Sequence, residues 1–334
     1  MTEAELDDAL SSPRPETEAA LAACPGDVIV LGAGGKMGPS LARMARRAAR
    51  DSRRVMAVSR WSSAAARRQL DDAGIETVSA DLLDRHAVTK LPDAPNVIFM
   101  AGQKFGTTGS PELTWGMNTL VPAYCADRYR ESRIVAFSTG NVYALTPVES
   151  GGSHETDVLA PVGEYAASCL GRERLFEMAS RANGTRMAIL RLNYAIDLRY
   201  GVLVDIALKV FRSEPISVDM GYVNVIWQGD ANRVAIESLP LTSSPPFVVN
   251  LTGSETLSVR ELATWFGERF KKAPRFTGTE RPDALLSNTS KLRSSFAPMS
   301  VPLEELRGWV ADWVENGGPL LGKPTKFETR DGKF

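Results

Sequence analysis

Short apolar runs alternate along much of this chain with segments of helical periodicity. The first run, Val28–Leu31, is followed by a stretch from Pro39 to Arg50 whose apolar residues recur at helical spacing. Five later runs predict further strands: Val55–Val58, Thr77–Ala80, Val97–Ala101, Ile134–Ser138 and Met187–Leu190. Helices are predicted between them, among others at Ala64–Ala73, Leu113–Tyr129 and Gly163–Ala182. Because strands and helices alternate and the strands are apolar throughout, we expect an α/β fold with a doubly wound parallel sheet.

Proline and glycine punctuation divides the chain into four predicted parts. Residues 1–24 look like a short N-terminal helical arm, closed by Pro25–Gly26. Residues 25–193 carry the alternating pattern, and residues 194–321 form a smaller, less regular part with mixed elements. Residues 322–334 form a basic tail. We expect this tail to fray, with folding back over the rest of the protein as the alternative.

Composition narrows the class of protein. The 334 residues include 39 basic and 40 acidic side chains, a near balance that disfavours nucleic acids and anionic membranes as partners. Three cysteines without a CxxC pair predict no disulfide scaffold and a cytoplasmic location, and two histidines predict no metal site. No apolar run approaches the roughly 20 residues of a membrane span, and the first residues lack a signal-peptide pattern. A small molecule is the expected partner.

Glycines recur at the first strand-to-helix junction in a GxxGxxG spacing. Glycine permits the tight turn and lets the backbone approach a pyrophosphate, whose charge the amide groups of the helix N-terminus stabilise. With a strand before it and a helix after it, this turn predicts a Rossmann-type dinucleotide-binding domain over residues 25–193. The predicted coenzyme contacts in the turn are Gly32, Gly35, Lys36, Met37 and Gly38.

The end of the second strand bears on the choice of coenzyme. An acidic residue there would bind the adenosine ribose of NAD, but the strand ends in Ser59 and Arg60. A guanidinium suits a 2′-phosphate, so we expect NADP in preference to NAD, although Arg60 could be an ordinary solvated arginine. After the third strand, Asp81 and Leu82 either meet the adenine or cap the next turn.

Eight segments follow one another in the order and spacing of a known enzyme family. They are Gly32–Gly38, Ala80–Leu82, Val97–Gly102, Met117–Thr119, Phe137–Tyr143, Arg191–Asn193, Ile226–Asp230 and Asn250–Leu262. From Val28 to Asn316 the chain resembles the extended short-chain dehydrogenase/reductase superfamily, and within it the NAD-dependent epimerase/dehydratase family.

The resemblance implies a nicotinamide-dependent oxidoreductase, epimerase or dehydratase with a smaller C-terminal substrate-binding part. It also implies a homodimer formed through the predicted helices Leu113–Tyr129 and Tyr165–Ala182. Further coenzyme contacts implied by the family pattern are Ala101, Gly102, Asn118, Tyr165 and Asn193.

The family's catalytic motif is only partly present. Its Tyr-x-x-x-Lys pattern matches Tyr165, which would exchange a proton with the substrate, but Cys169 stands at the lysine position. No lysine in the chain follows a tyrosine by four residues. The family's Ser/Thr turn is matched by Ser138 and Thr139, and Thr139 would bond the reacting oxygen unless it only satisfies the backbone at the strand end.

Loss of the lysine has a calculable consequence. An unassisted phenol has a pKa of about 10, so only about one in a thousand is ionised at pH 7. Lys104 after the fourth strand, or Arg172 two turns beyond Tyr165, could supply the missing charge, and Lys104 is preferred because its loop lies at the carboxyl edge of the sheet. The alternative hypothesis is a regulatory or catalytically impaired protein that binds NAD(P).

The C-terminal part bears on the substrate. Sugar-nucleotide members of the family often clamp a diphosphate with two arginines, but Val223 occupies one of these positions and Arg281 resembles only the other. We therefore expect hydride transfer between nicotinamide and a small sugar, polyol or hydroxy-acid. The predicted substrate contacts are Thr139, Tyr194, Trp227 and Arg281, the last either meeting a substrate anion or forming a surface ion pair.

Overall fold

A seven-stranded parallel sheet organises the protein. The computed structural model describes residues 1–104, 106, 109–323 and 325–333. The strands are β1 (Val28–Leu31), β2 (Val55–Ser59), β3 (Glu76–Ser79), β4 (Asn96–Phe99), β5 (Arg133–Thr139), β6 (Thr146–Pro147), β7 (Met187–Leu192), β8 (Ala195–Ile196), β9 (Pro215–Ser217), β10 (Tyr222–Val223), β11 (Ile226–Trp227), β12 (Phe247–Leu251), β13 (Leu257–Ser258), β14 (Arg275–Thr277) and β15 (Asp283–Ala284). The main sheet has the order β12-β7-β5-β4-β1-β2-β3, and the remaining strands pair two by two.

Helices cover both faces of this sheet. They are α1 (Glu3–Ser11), α2 (Pro15–Ala22), α3 (Gly38–Ala49), α4 (Ala64–Asp71), α5 (Arg85–Thr89), α6 (Pro111–Trp115), α7 (Val121–Arg128), α8 (Gly163–Asn183), α9 (Val202–Phe211), α10 (Gln228–Glu237), α11 (Val259–Phe270), α12 (Ser290–Ser295) and α13 (Leu303–Glu315). In β1, Val28 and Val30 enter the core under α3 and α10, whereas Ile29 and Leu31 enter the core under α7 and α8. This alternation confirms the doubly wound sheet predicted from the apolar strands.

One predicted helix is divided. The stretch Leu113–Tyr129 comprises α6, a π-helical turn at Gly116–Leu120 and α7. The amide of Val121 bonds to the carbonyl of Gly116, five residues back, and Pro122 has no amide hydrogen with which to resume the ordinary register.

The C-terminal part contributes to both regions of the molecule. Helices α9, α11 and α13, together with Leu6 and Leu10 of α1, enclose a separate apolar core. Strand β12, however, adds to the edge of the main sheet beside β7, and α10 packs against α3. The chain boundary expected at residue 193 therefore does not coincide with the edge of the sheet.

The basic tail folds back, contrary to the expectation that it frays. Residues 324 and 334 of the predicted tail lie outside the described part. Phe327 is fully buried in the core around α9, α11 and α13. The amide and hydroxyl of Thr325 donate to Asp205 on α9 at 2.8 and 2.6 Å. Gly332 packs against the backbone at the start of α8. Burial of one aromatic ring and these paired contacts outweigh the entropy that favours fraying.

Two structural findings bear on the surroundings of the protein. Within the described ranges, no helix is both long enough and apolar enough to cross a membrane. The three cysteines are buried and none forms a disulfide. The cytoplasmic location predicted from cysteine usage stays a prediction.

Candidate active site at the carboxyl edge of the sheet

The glycine turn connects β1 to α3 with close backbone contacts. Gly32 has a φ of 89°, and a Cβ atom there would lie 2.6 Å from the amide nitrogen of Ala101. A Cβ atom at Gly38 would lie 2.3 Å from the carbonyl oxygen of Ala33. At Gly35 the nearest atom to such a Cβ is 3.4 Å away, so this side of the turn is open. The turn thus brings the N-terminus of α3 close to open space at the sheet edge.

Two cavities, of about 230 and 240 Å³, adjoin this turn. We call the cavity of about 240 Å³ the coenzyme cavity. Its lining is Gly32, Gly35, Lys36, Met37, Gly38, Met100, Gly102, Gln103, Lys104, Phe137, Ser138, Tyr165, Arg172 and Leu192. The guanidinium Nε of buried Arg172 has no hydrogen-bond partner within the described residues. Exposed glycine backbone, a helix N-terminus and an unsatisfied buried donor fit a bound dinucleotide.

Other predicted coenzyme contacts lie outside the lining of both cavities. They are Ser59, Arg60, Asp81, Leu82, Ala101 and Asn118. Arg60 is exposed and lies 4.0 Å from the carboxylate of Asp81. Asp81 accepts a hydrogen bond from the Leu83 amide at 3.0 Å, which is the turn-capping alternative, and Leu82 is buried in the core. The end of β2 therefore presents a cation at the surface and no carboxylate of its own.

Helix α8 places Tyr165 beside the end of β5. Burial raises the pKa of Tyr165, whereas the charge of Arg172 and a hydrogen bond with Thr139 act in the opposite direction. The Thr139 hydroxyl accepts hydrogen bonds from the backbone and side-chain nitrogens of Asn141, at 3.2 and 2.9 Å. Because its acceptor sites are used in this way, its own hydrogen is directed away from Asn141, and the tyrosine is the partner.

At the position of the missing lysine, the Cys169 side chain forms a hydrogen bond with Tyr165. Cys169 is fully buried in a cluster with Val142 and Tyr143, and burial raises the pKa of its thiol. The ammonium of Lys104 lies 5.9 Å from the centre of the phenol ring of Tyr165. Burial lowers the pKa of Lys104 to about 8. A cation is therefore present near the phenol, supplied by a loop in place of the helix.

Two hydrogen bonds hold the Arg172 guanidinium in place. Its guanidinium donates to the carbonyl of Phe137 at 2.9 Å and to the side-chain oxygen of Asn118 at 2.6 Å. A Cβ atom at Gly102 would lie 2.3 Å from this guanidinium, so glycine is required where it passes the loop. The Asn118 side chain also accepts a hydrogen bond from the Gln103 amide and donates one to the Gln103 carbonyl, so it holds the loop after β4 in place.

A buried ionic network supports the floor of the site. Ser138 donates to Glu173 at 2.5 Å, and Glu173 forms an ion pair with Arg191 at 2.8 Å. Arg191 also donates to the Tyr143 hydroxyl at 2.6 Å, which in turn donates to Asn250 at 2.8 Å. Since its hydroxyl is engaged by Glu173, Ser138 supports the turn, and of the two predicted hydroxyls only that of Thr139 is directed to Tyr165.

The second cavity, of about 230 Å³, lies between the sheet edge and the C-terminal part. We call it the substrate cavity; its lining is Lys36, Met37, Lys104, Ser138, Thr139, Asn141, Tyr165, Leu192, Asn193, Tyr194, Ala195, Tyr200, Gly201, Val202 and Thr325. Thr139 and Tyr194 were predicted as substrate contacts, whereas Asn193 was predicted as a coenzyme contact and lines only the substrate cavity. Asn141, Tyr200 and Thr325 were not predicted, because only tertiary packing brings them to this place.

Two predicted substrate contacts lie elsewhere. Trp227 is almost fully buried and packs edge-to-face on Trp309 with ring centres 5.5 Å apart. It lines a different cavity, of about 130 Å³, because β11 turns its side chain into the C-terminal core. Arg281 is exposed and lines neither the coenzyme cavity nor the substrate cavity.

Solved structures with the same architecture include sugar-nucleotide enzymes. UDP-glucose 4-epimerase from Thermotoga maritima, solved with UDP-glucose, superposes with a TM-score of 0.73 at 16% identity over 87% of this chain and 99% of that one. The Thermus thermophilus UDP-glucose 4-epimerase, solved with NAD, gives 0.70 at 21% identity over 86% and 98%. The Streptomyces venezuelae dTDP-glucose 4,6-dehydratase DesIV, with NAD and TYD bound, gives 0.72 at 17% identity over 87% and 97%. These likenesses establish the fold.

Sequence comparison establishes the family. No curated protein sequence matches the chain. The model of the NAD dependent epimerase/dehydratase family matches residues 28–195, half of the chain, and this match includes the glycine turn, Thr139 and Tyr165. The chain therefore belongs to the NAD dependent epimerase/dehydratase family, which confirms the resemblance found in its sequence and the expectation of a nicotinamide-dependent enzyme.

Proposed function

We propose that the protein transfers hydride between a nicotinamide coenzyme and a small sugar, polyol or hydroxy-acid, with Tyr165 as proton donor and acceptor. The observation that carries this proposal is the convergence of Tyr165, Thr139 and Lys104 where the coenzyme and substrate cavities meet. The substrate cavity holds about eight water-sized groups at roughly 30 Å³ each, which suits a small substrate.

Each residue has a distinct part in this proposal. When bound, the coenzyme supplies or accepts the hydride at the substrate carbon. The phenol of Tyr165, kept neutral by burial, gives a proton to the substrate oxygen during reduction and becomes a phenolate. In the direction of oxidation the phenolate form takes the proton of the substrate hydroxyl. Thr139 donates a hydrogen bond to the same oxygen, and Asn141 orients Thr139. The cation of Lys104 stabilises negative charge on the phenolate.

A substrate screen tests this function. The purified protein should reduce NAD or NADP when at least one sugar, polyol or hydroxy-acid of about three to six carbons is present. The reaction is followed by nicotinamide absorbance. Coenzyme binding with no turnover across the panel would instead support the regulatory alternative. A response only to nucleotide-activated sugars would overturn the small-substrate proposal and match the substrates bound by the epimerase structures.

Coenzyme preference forms the second part of the proposal, and it rests on the end of β2 alone. The neighbouring structures with a coenzyme carry NAD. We propose NADP, because Arg60 is exposed after β2 and the strand itself ends in Ser59, with no carboxylate of its own to bind the ribose hydroxyls of NAD.

The expected result of Arg60→Ala is weaker binding of NADPH by about tenfold, with little change for NADH, as one exposed charge-assisted bond is lost. Fluorescence titration with both coenzymes measures this change. Arg68→Ala removes an exposed arginine from α4 and is the matched control. Equal affinity of the wild-type protein for NADPH and NADH would contradict the preference for NADP.

We also propose a homodimer through α6, α7 and α8. Leu120 and Met178 are apolar yet 49% and 61% exposed, and Leu113 and Trp115 on the same helical layer are exposed as well. Light scattering of the wild-type protein should give twice the chain mass, and Leu120→Asp combined with Met178→Asp should give the mass of one chain. A wild-type monomer at micromolar concentration would contradict this proposal.

A further inference from the structure

Two lysines from different segments line the substrate cavity. Lys36 comes from the glycine turn and Lys104 from the loop after β4. The ammonium of Lys36 lies 3.1 Å from the centre of the Tyr200 ring. Tyr200 lines the substrate cavity but not the coenzyme cavity. This cation–π contact therefore holds the Lys36 charge on the substrate side of the glycine turn.

The carboxylates of Asp197 and Asp205 act on these lysines through their charge and also have partners of their own. Asp197 forms an ion pair with Arg199 at 2.8 Å, and Asp205 accepts two hydrogen bonds from Thr325. Within the described residues, no aspartate or glutamate lines the substrate cavity. The lining thus contains two basic side chains, three tyrosines and amide and hydroxyl groups, an arrangement with a net positive charge.

The two ammonium groups also affect each other. Burial and, to a smaller extent, the positive charge of Lys104 lower the pKa of Lys36 to about 7, while Asp197 and Asp205 act against this. Lys36 is exposed when the whole residue is considered, whereas its ammonium is packed against the Tyr200 ring. An anion placed between the lysines would relieve this repulsion and restore both charges.

We infer that the substrate is a hydroxy-acid whose carboxylate binds Lys36 and Lys104 while its hydroxyl-bearing carbon lies toward Tyr165 and Thr139. This inference rests on the proposed function, and it selects one substrate class from the three allowed there. The volume of the cavity accommodates an acid of about three to six carbons. A carboxylate beside the reacting carbon also fits the position of Lys104, which lies within 6.0 Å of the rings of both Tyr165 and Tyr194.

The test compares acids with neutral polyols of equal length. Gluconate and glucitol, and erythronate and erythritol, are titrated calorimetrically into enzyme saturated with its preferred reduced coenzyme, a complex in which an alcohol cannot be oxidised. At least one acid of the panel is expected to bind about thirtyfold tighter than its polyol, since two charge-assisted contacts are added. This comparison needs no variant, so it remains decisive even if a substitution prevents folding.

Lys36→Met tests the contact between this lysine and the carboxylate. Because Lys36 lines the coenzyme cavity as well as the substrate cavity, acid and polyol are both titrated into protein saturated with reduced coenzyme, and coenzyme affinity is titrated separately. The preference for acid over polyol is expected to fall about tenfold. Lys323→Met is the matched control, because Lys323 lies near enough to affect the Lys36 charge but does not line the substrate cavity. It should retain the acid preference.

Three results would overturn the inference. They are polyols that bind as tightly as the acids, no heat with any acid, and a Lys36→Met protein that loses coenzyme affinity as strongly as acid affinity. The last result would assign Lys36 to a coenzyme phosphate. If acids bind selectively but no hydride transfer follows under any condition, the proposed function fails while the carboxylate site stands.

Discussion

Tyr165→Phe is expected to lower kcat/KM by about a thousandfold, the range observed when a positioned proton donor is removed. The phenylalanine retains the ring that packs against Val142 and Cys169, so the fold should be preserved. Only the hydroxyl, with its hydrogen bonds to Thr139 and Cys169, is lost. Steady-state rates in both directions, together with a coenzyme titration, measure the effect. The affinity for coenzyme should change little.

A second tyrosine of the same cavity provides the control. Tyr194→Phe also removes a buried hydroxyl from the lining, but no hydrogen bond joins Tyr194 to Thr139 among the described contacts. We expect a loss in kcat/KM of less than about tenfold. If the two variants lost activity equally, the proton donor would have to be reassigned.

Lys104→Met is expected to move the pH profile of alcohol oxidation to higher pH. The ammonium stabilises the Tyr165 phenolate, so its removal should raise the pKa of that phenol still further. Each unit of increase lowers kcat/KM for oxidation at pH 7 about tenfold, because the ionised fraction falls by that factor. In the wild-type protein this assistance is greatest below pH 8 and declines as Lys104, whose pKa is about 8, loses its proton.

The control for this change is another lysine in the vicinity. Lys326 lowers the pKa of Lys104 through its charge but lines neither the coenzyme cavity nor the substrate cavity. Lys326→Met should therefore leave the oxidation profile in place or move it slightly. An unchanged profile in Lys104→Met would exclude Lys104 as the substitute for the missing family lysine. Arg172 would then be the remaining candidate for the charge that stabilises the phenolate.

The fold could be predicted from sequence wherever local pattern determines structure. The sequence pattern located the six predicted strands to within two residues, because strands buried on both faces must be apolar throughout. The exception is the edge strand β3, which is partly exposed and less apolar. Strand β12 was not predicted. Its place beside β7 depends on a connection of more than fifty residues, and the local sequence of Phe247–Leu251 does not specify which sheet it joins.

The candidate site was predictable to a similar extent. Motif spacing located Thr139 and Tyr165, and the carboxyl-edge rule brought Lys104 to the same cavity. Sequence alone did not reveal that Trp227 faces another core or that Tyr200 holds Lys36, since both depend on how the C-terminal part packs on the sheet. The basic composition of the tail likewise gave no sign of its buried phenylalanine.

The contact between the tail and the start of α8 has a consequence for control of the enzyme. A Cβ atom at Gly163 would lie 2.5 Å from the carbonyl oxygen of Gly332, and one at Gly332 would lie 2.2 Å from that of Val162. The two backbones are thus in direct contact only two residues before Tyr165. Thr325 of the same tail lines the substrate cavity, so displacement of the tail would disturb both the start of the helix that carries Tyr165 and the wall of that cavity. Any such displacement is therefore expected to change kcat and KM together.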